Sequence, residues 1–240
     1  MIYLHPFAEE MNKSRRMAAL QSRALAAVGY DVLQIDLLGC GDSSGDFADA
    51  SWQVWLEDVL LAHRWLRTKT LAPLTLWGLR GGCLLAASAA VDLPETTNFI
   101  FWQPVISGKQ HWQQFMRLKM AGALAGGDAK GVTELLRQQL AAGQSVEIAG
   151  YGIAPALAEG LEQAELKPPA SLGHIIWLEI SLRDEATLSP VSQKRLEQWL
   201  AAGYNIDVRI VCGPAFWQTT EIEDAPQLIA ATLAALEVRG

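Results

Sequence analysis

At 240 residues, half of them apolar, the chain has the length and apolar content for one α/β domain carrying a modest insertion. A net charge of −7 argues against non-specific binding to nucleic acid or to an anionic membrane surface. No leader peptide is visible and no apolar run is long enough to span a bilayer, so a cytoplasmic location is expected. Cys40, Cys83 and Cys212 each adjoin a glycine and read as small buried fillers in a reducing compartment, not as a disulfide or zinc framework. Nine tryptophans read chiefly as large core fillers, with an aromatic ligand box as the alternative.

Met1 to Leu4 is a short apolar strand. His5 to Asn12 reads as a loop, because Pro6 cannot donate to a ladder and the run then turns polar. From Lys13 to Val28, Met17, Leu20, Ala24 and Ala27 recur at three-to-four spacing, which predicts a helix ended by Gly29. Asp31 to Asp36 is the next strand, and the loop after it holds Gly39, Gly41 and Gly45. Trp52 to Lys69 is helical, with Trp55, Val59, Ala62 and Leu66 on one stripe. Leu74 to Trp77 is a strand that runs into Gly78-Leu79-Arg80-Gly81-Gly82, and an Ala/Leu-rich helix continues to Ala90. Asn98 to Trp102 is a strand stopped by Gln103-Pro104. Strands alternating with helices imply a parallel sheet covered on both faces. Ser107 to about Pro169 breaks the rhythm. It reads as a mostly helical cap inserted over the C-terminal edge of the sheet, with Trp112, Phe115 and Met116 among its apolar residues and Gly126-Gly127 and Gly143 as punctuation. The rhythm resumes with a strand at His174 to Glu179, a helix at Val191 to Ala201, a strand at Asn205 to Val211 and a helix at Pro226 to Leu236.

Gly78 and Gly82 stand where a G-x-S-x-G nucleophile elbow has its glycines, which let strand and helix approach closely around a strained central residue. The central residue here is Arg80, whose guanidinium stays protonated and cannot attack a carbonyl. With the His5-Pro6-Phe7 loop and the run Asp36-x-x-Gly39-x-Gly41-x-Ser43, the order of elements resembles the α/β-hydrolase superfamily. More narrowly, His5 to Arg16, Asp36 to Ser43 and Gly213 to Thr219 resemble the proteins called exosortase A system-associated hydrolase 2. The resemblance implies one α/β-hydrolase domain over residues 1–240 with the cap at about 107–169. It also implies a bacterial setting of exopolysaccharide production and exosortase-dependent surface-protein sorting. The two antiparallel strands that open a superfamily member have no counterpart before Met1. That places the Asp31–Asp36 strand at a bare sheet edge, through which a homodimer is expected.

A serine triad needs a nucleophile, a base and an acid. The nucleophile position is Arg80, and the loop from Gly213 to Glu221, where the superfamily carries its base, has no histidine. Glu179 and Asp184 are candidates for the acid, Glu179 standing at its strand's end. Of the four histidines, His63 is mid-helix, His111 lies in the cap and His174 begins a strand. His5 is near the expected site and reads as a residue that fixes its own loop. Other candidate nucleophiles are Cys83, in the first turn of a helix whose N-terminus lowers a thiol's pKa, and Ser107 and Ser181, which follow strands. No cluster has metal-ligand spacing, and Asp42, Asp46 and Asp49 do not fit a calcium loop, so neither metal nor cofactor is expected.

A buried Arg80 requires a carboxylate partner. Glu9, Glu10, Glu179, Glu221 and Glu223 are available, with Glu179 and Glu9 expected first. The expected ligand site comprises Arg80, His5, Phe7, Glu9 and Glu179, with Phe216 and Trp217 as a flat wall for a sugar ring or acyl chain. Three functions stay open. One is a pseudo-hydrolase binding a small anionic or glycan-like molecule. The second is an esterase or thioesterase with a non-standard nucleophile. The third is a scaffold for a partner protein.

Overall fold

The computed structural model describes residues 1–94, 96–123, 129–169, 173–183 and 185–237; Gly126-Gly127 and Asp184 lie outside the described residues. In chain order come β1 (Ile2–Leu4), α1 (Glu9–Ala27), β2 (Leu33–Gln34), α2 (Trp52–Arg67), β3 (Leu74–Leu79), α3 (Gly81–Ala89) and β4 (Thr96–Trp102). Next are α4 (Gly108–Ala123), α5 (Ala129–Ala141), β5 (Val146–Ile148), β6 (Tyr151–Ile153) and α6 (Pro155–Gln163). The chain closes with β7 (His174–Ser181), α7 (Pro190–Ala201), β8 (Asn205–Cys212) and α8 (Pro226–Glu237). Two compact units result: Met1–Ile35, Ala62–Ile106 and Leu166–Gly240 form the first, and Asp36–Leu61 with Ser107–Glu165 the second.

The first unit is built on a six-stranded sheet in the order β2-β1-β3-β4-β7-β8, every pairing parallel. The register sets Tyr3 beside Trp77, Leu79 beside Trp102 and Trp102 beside Leu178. Because side chains alternate across a strand, these residues share one face. There they join Met17 and Leu25 of α1 and Leu228 and Ala235 of α8 in a continuous apolar core. Aromatic rings run across it, Tyr3 to Trp77 at 4.3 Å and Trp77 to Trp102 at 4.7 Å between centroids. The Trp102 indole N–H donates to Thr232 Oγ1 at 3.0 Å, which gives that buried donor an acceptor. On the other face Phe101 and Trp177 meet Trp199 of α7 at 6.5 and 6.0 Å. Most of the tryptophans are thus the core fillers that the composition suggests.

The second unit contains a feature that its helical pattern hides. β5 and β6 form an antiparallel hairpin of three-residue strands. Ala149 and Gly150 between them both take positive φ, 50° and 84°, as a two-residue primed turn demands. Strands this short carry too little alternation to stand out.

Three other expectations change. α1 begins at Glu9, four residues before Lys13, because Ala8 turns the chain at φ 53° and two acidic residues then occupy the first turn. Acidic side chains favour that position, where backbone N–H groups lack partners. The edge strand expected over Asp31–Asp36 shrinks to Leu33–Gln34. Cys212 is exposed, while Cys40 and Cys83 are buried as expected. No helix among the described residues is long and apolar enough to cross a membrane.

Thr232→Val keeps the shape of the side chain but strips the acceptor from the buried Trp102 indole. A loss of about 1–2 kcal/mol is expected in urea unfolding, and an unchanged stability would contradict this reading of the core.

Candidate functional site

β3 ends at Leu79, the chain bends at Arg80, and α3 starts at Gly81. Arg80 takes φ 54° and ψ −117°, a conformation that costs a non-glycine residue about 1–3 kcal/mol. The bend is fastened on both sides. Arg80 N–H donates to Trp102 O at 2.9 Å, and Arg80 O accepts from Cys83 and Val105 N–H at 3.1 and 3.3 Å. A Cβ on Gly78 would lie 2.6 Å from Cys83 N, and one on Gly82 would overlap the carbonyl oxygen of Leu4. Strand and helix therefore meet with no room for a side chain at either glycine. Positive φ also marks the ends of the two flanking strands, at Ala8 after β1 and Gln103 after β4. Strained backbone thus gathers at the C-terminal ends of three adjacent strands, a placement typical of functional sites.

The Arg80 side chain points to Glu10 of α1. Nε and Nη2 both approach Glu10 Oε1 at 3.2 Å, and the two side chains are 18% and 20% exposed. The guanidinium also lies 5.5 Å from the centre of the Trp217 ring, within cation–π range. The second Glu10 oxygen, Oε2, is buried with no hydrogen-bond partner. Burial pushes the Glu10 carboxyl above its ordinary range, with the Arg80 charge and hydrogen bond pulling the other way.

α1 also holds the loop that delivers Trp217. Lys13 Nζ donates to Thr219 O at 2.8 Å, and Arg16 grips Asp224 through two bonds of 2.7 and 2.8 Å. The Ala225 N–H reaches Met17 Sδ at 3.2 Å. Two of the stretches singled out in the sequence, His5 to Arg16 and Gly213 to Thr219, are therefore bound to each other with Arg80 between them.

The carboxylates expected first give way to Glu10. Glu179 is buried and accepts the Trp177 indole N–H at 2.9 Å on its own strand. Glu9 is exposed and accepts from Asn12 at 3.2 Å. Glu221 and Glu223 are exposed. His5 Nδ1 donates to Pro6 O at 2.8 Å, which fits a residue fixing its own loop, and Phe7 is buried. Phe216 and Trp217 are not an open wall. Phe216 is fully buried against Trp102, and Trp217, 5% exposed, spends its ring on Phe216 and Arg80.

The alternative nucleophiles are buried or hydrogen-bonded. Cys83 is fully buried with its thiol 3.7 Å from Trp102 O, and burial pushes that thiol far above its ordinary range. Any lowering by the start of α3 is outweighed. Ser107 belongs to the second unit, where it donates to Glu165 at 2.8 Å. Ser181 Oγ accepts the Arg183 N–H. His63 accepts from Arg67 at 3.1 Å, His111 is buried in the second unit, and His174 begins β7. No group of three His, Cys, Asp or Glu among the described residues could hold a metal ion.

Glu10, Lys13 and Met17 recur at three-to-four spacing, with Arg16 beside them. Once α1 is known to start at Glu9, that spacing marks one helix face turned to the site.

The fold has clear structural neighbours. Est1E from Butyrivibrio proteoclasticus, solved with ferulic acid bound, superposes over 98% of this chain and 87% of its own, with a TM-score of 0.67 and 16% identity. Mouse alpha/beta hydrolase domain-containing protein 10 superposes over 100% of this chain and 90% of its own, with a TM-score of 0.59 and 14% identity. The chain has the α/β-hydrolase fold. In sequence, Protein ABHD12B of Homo sapiens is 30% identical over 96 residues, 40% of this chain. The match spans a quarter of that protein's length, 25%. No protein family's sequence profile matches the chain.

Glu10 gives the pair a pH signature. Its native carboxyl holds a proton to higher pH than the unfolded chain, whose ordinary value is 4.5. Between those values the native state binds more protons, so stability falls as pH rises through them. Glu10→Gln is neutral throughout. The stability of the wild type relative to Glu10→Gln should therefore decline as pH rises from the ordinary carboxyl value of 4.5 through the higher native one, measured by chemical denaturation. A difference that stays constant or grows with pH would contradict the raised carboxyl.

Proposed function

We propose that this α/β-hydrolase-fold chain is a pseudo-hydrolase that binds a small anionic or glycan-like ligand at Arg80 and performs no serine-esterase chemistry. The observation that carries this reading is the guanidinium at the elbow, paired through Nε and Nη2 to one oxygen of Glu10 and with Nη1 outside that pair. The N-terminus of the nine-residue α3 stands at the same bend, and a helix N-terminus favours negative charge. A fixed cation adds to that field. Glu10 Oε2 is an unmet acceptor buried within the same pair, and a ligand hydroxyl would satisfy it on opening that pair. Carboxylate and hydroxyl together are the groups of an acidic sugar. The likeness to exosortase A system-associated hydrolase 2 implies a role in exopolysaccharide or surface-protein production, where such sugars occur as building blocks.

Hydrolysis through another nucleophile finds little support, since the Cys83 thiol is buried and protonated and the Ser107 hydroxyl is engaged.

Calorimetry with glucuronate and with ferulate, beside p-nitrophenyl butyrate turnover, tests the proposal. The wild type should bind at least one carboxylate, Arg80→Ala should weaken that binding about tenfold or more, and neither protein should turn over the ester above buffer. Ester turnover that survives Arg80→Ala and is lost in Cys83→Ala or Ser107→Ala would overturn it.

A further inference from the structure

The sheet has two ends. At one, β2 pairs over only Leu33–Gln34. At the other, β8 pairs with β7 over all eight residues, His174 beside Asn205 through Ser181 beside Cys212, and no strand among the described residues pairs with its far side. The edge that can accept another strand is therefore β8. Its six inner residues are only half-buried, whereas the first six of β7 are buried. It carries no proline, no lysine and no break in register, three devices that usually blunt an edge.

The sequence of β8 is self-complementary about Val208, reading Ile206-Asp207-Val208-Arg209-Ile210. If the strand is laid antiparallel on a second copy with Val208 facing itself, Ile206 faces Ile210 and Asp207 faces Arg209. Opposite charges then meet on one face and β-branched side chains on the other, the cross-strand pairs that stabilise a sheet. Neighbouring registers fail. Centring on Asp207 or on Arg209 sets like charge on like charge, as does an in-register parallel pairing. Both charged side chains are already oriented on one face. Arg209 donates to Asp207 through Nε at 3.0 Å and Nη2 at 2.6 Å, and through Nη1 to Ala231 O of α8 at 3.2 Å. A single charge on an edge repels a second copy; a pair of opposite sign two residues apart attracts one that runs antiparallel.

We propose that two copies of this chain join through β8 about a two-fold axis at Val208, continuing one sheet into the other. This replaces the β2 edge, which is too short to hold a partner.

The test uses the full chain. Sedimentation should find a dimer. Cys212 is the exposed cysteine, and Cys40 and Cys83 are buried, so a spin label reports from Cys212 alone. Cys212 lies four residues from the axis, so two labels are separated by eight residues of strand rise, about 27 Å between backbones. Pulsed electron–electron resonance should show that separation. Arg209→Asp places four carboxylates together and should weaken association about tenfold or more, and Asp207→Arg with Arg209→Asp should restore it, since opposite signs again face one another. A monomeric wild type, a dimer without the expected distance, or an Arg209→Asp protein that still dimerises would each overturn the proposal. Should Arg209→Asp fail to fold, the label distance in the wild type decides.

Discussion

A charge that cannot be titrated away sits where β3 bends into α3, and much of the surrounding structure answers to it. Arg80 is mostly buried, so the guanidinium needs a counter-charge close by. Glu10 supplies it, and can do so because α1 begins early, at Glu9, behind a strained Ala8. The same helix uses Lys13 and Arg16 to hold the loop after β8, and that loop lays Trp217 against the guanidinium. A buried ion pair adds little net stability over an apolar replacement, yet removing one partner is costly. A cation at this position is therefore explained better by the loop arrangement that it specifies than by stability alone.

The elbow persists without a serine at its bend. Gly78 and Gly82 are required by the close approach of backbone to backbone, whatever side chain stands between them. With Arg80 at the bend the packing is therefore intact, and the chain superposes on Est1E over nearly its whole length while carrying no serine hydroxyl at the bend. The geometry of the bend is thus independent of the side chain it carries, for a steric reason. The aromatic row from Tyr3 through Trp102 to Phe216 belongs to the same logic, since it fills the core beneath the site and is not part of an open cleft.

The sequence made the sheet and the elbow legible because both leave strong local marks. Apolar runs bounded by glycine and proline located β3, β4, β7 and β8, and the spacing of Gly78 and Gly82 located the bend. The site was less legible. Glu9, Glu10 and Asn12 follow a proline and carry no apolar period, so the first turn of α1 resembled a loop and Glu10 ranked behind Glu179. A position at a strand end also does not reveal that Trp177, two residues back, already binds the Glu179 carboxylate. Aromatic residues in a loop give no sign of burial, which is why Phe216 and Trp217 suggested a wall. The exposure of Cys212 follows from its place at the end of an edge strand, and only the strand order reveals an edge.

The most direct test is a double-mutant cycle on the pair at the bend, with Glu10→Gln, Arg80→Met and the double variant compared by chemical denaturation at neutral pH. If the cation at the elbow is held by Glu10, each single change costs more than its share of the double, with a coupling of about 1.5 kcal/mol or more. Additive effects within about 0.5 kcal/mol would show that the two side chains do not depend on each other, and the account built on Arg80 would fail.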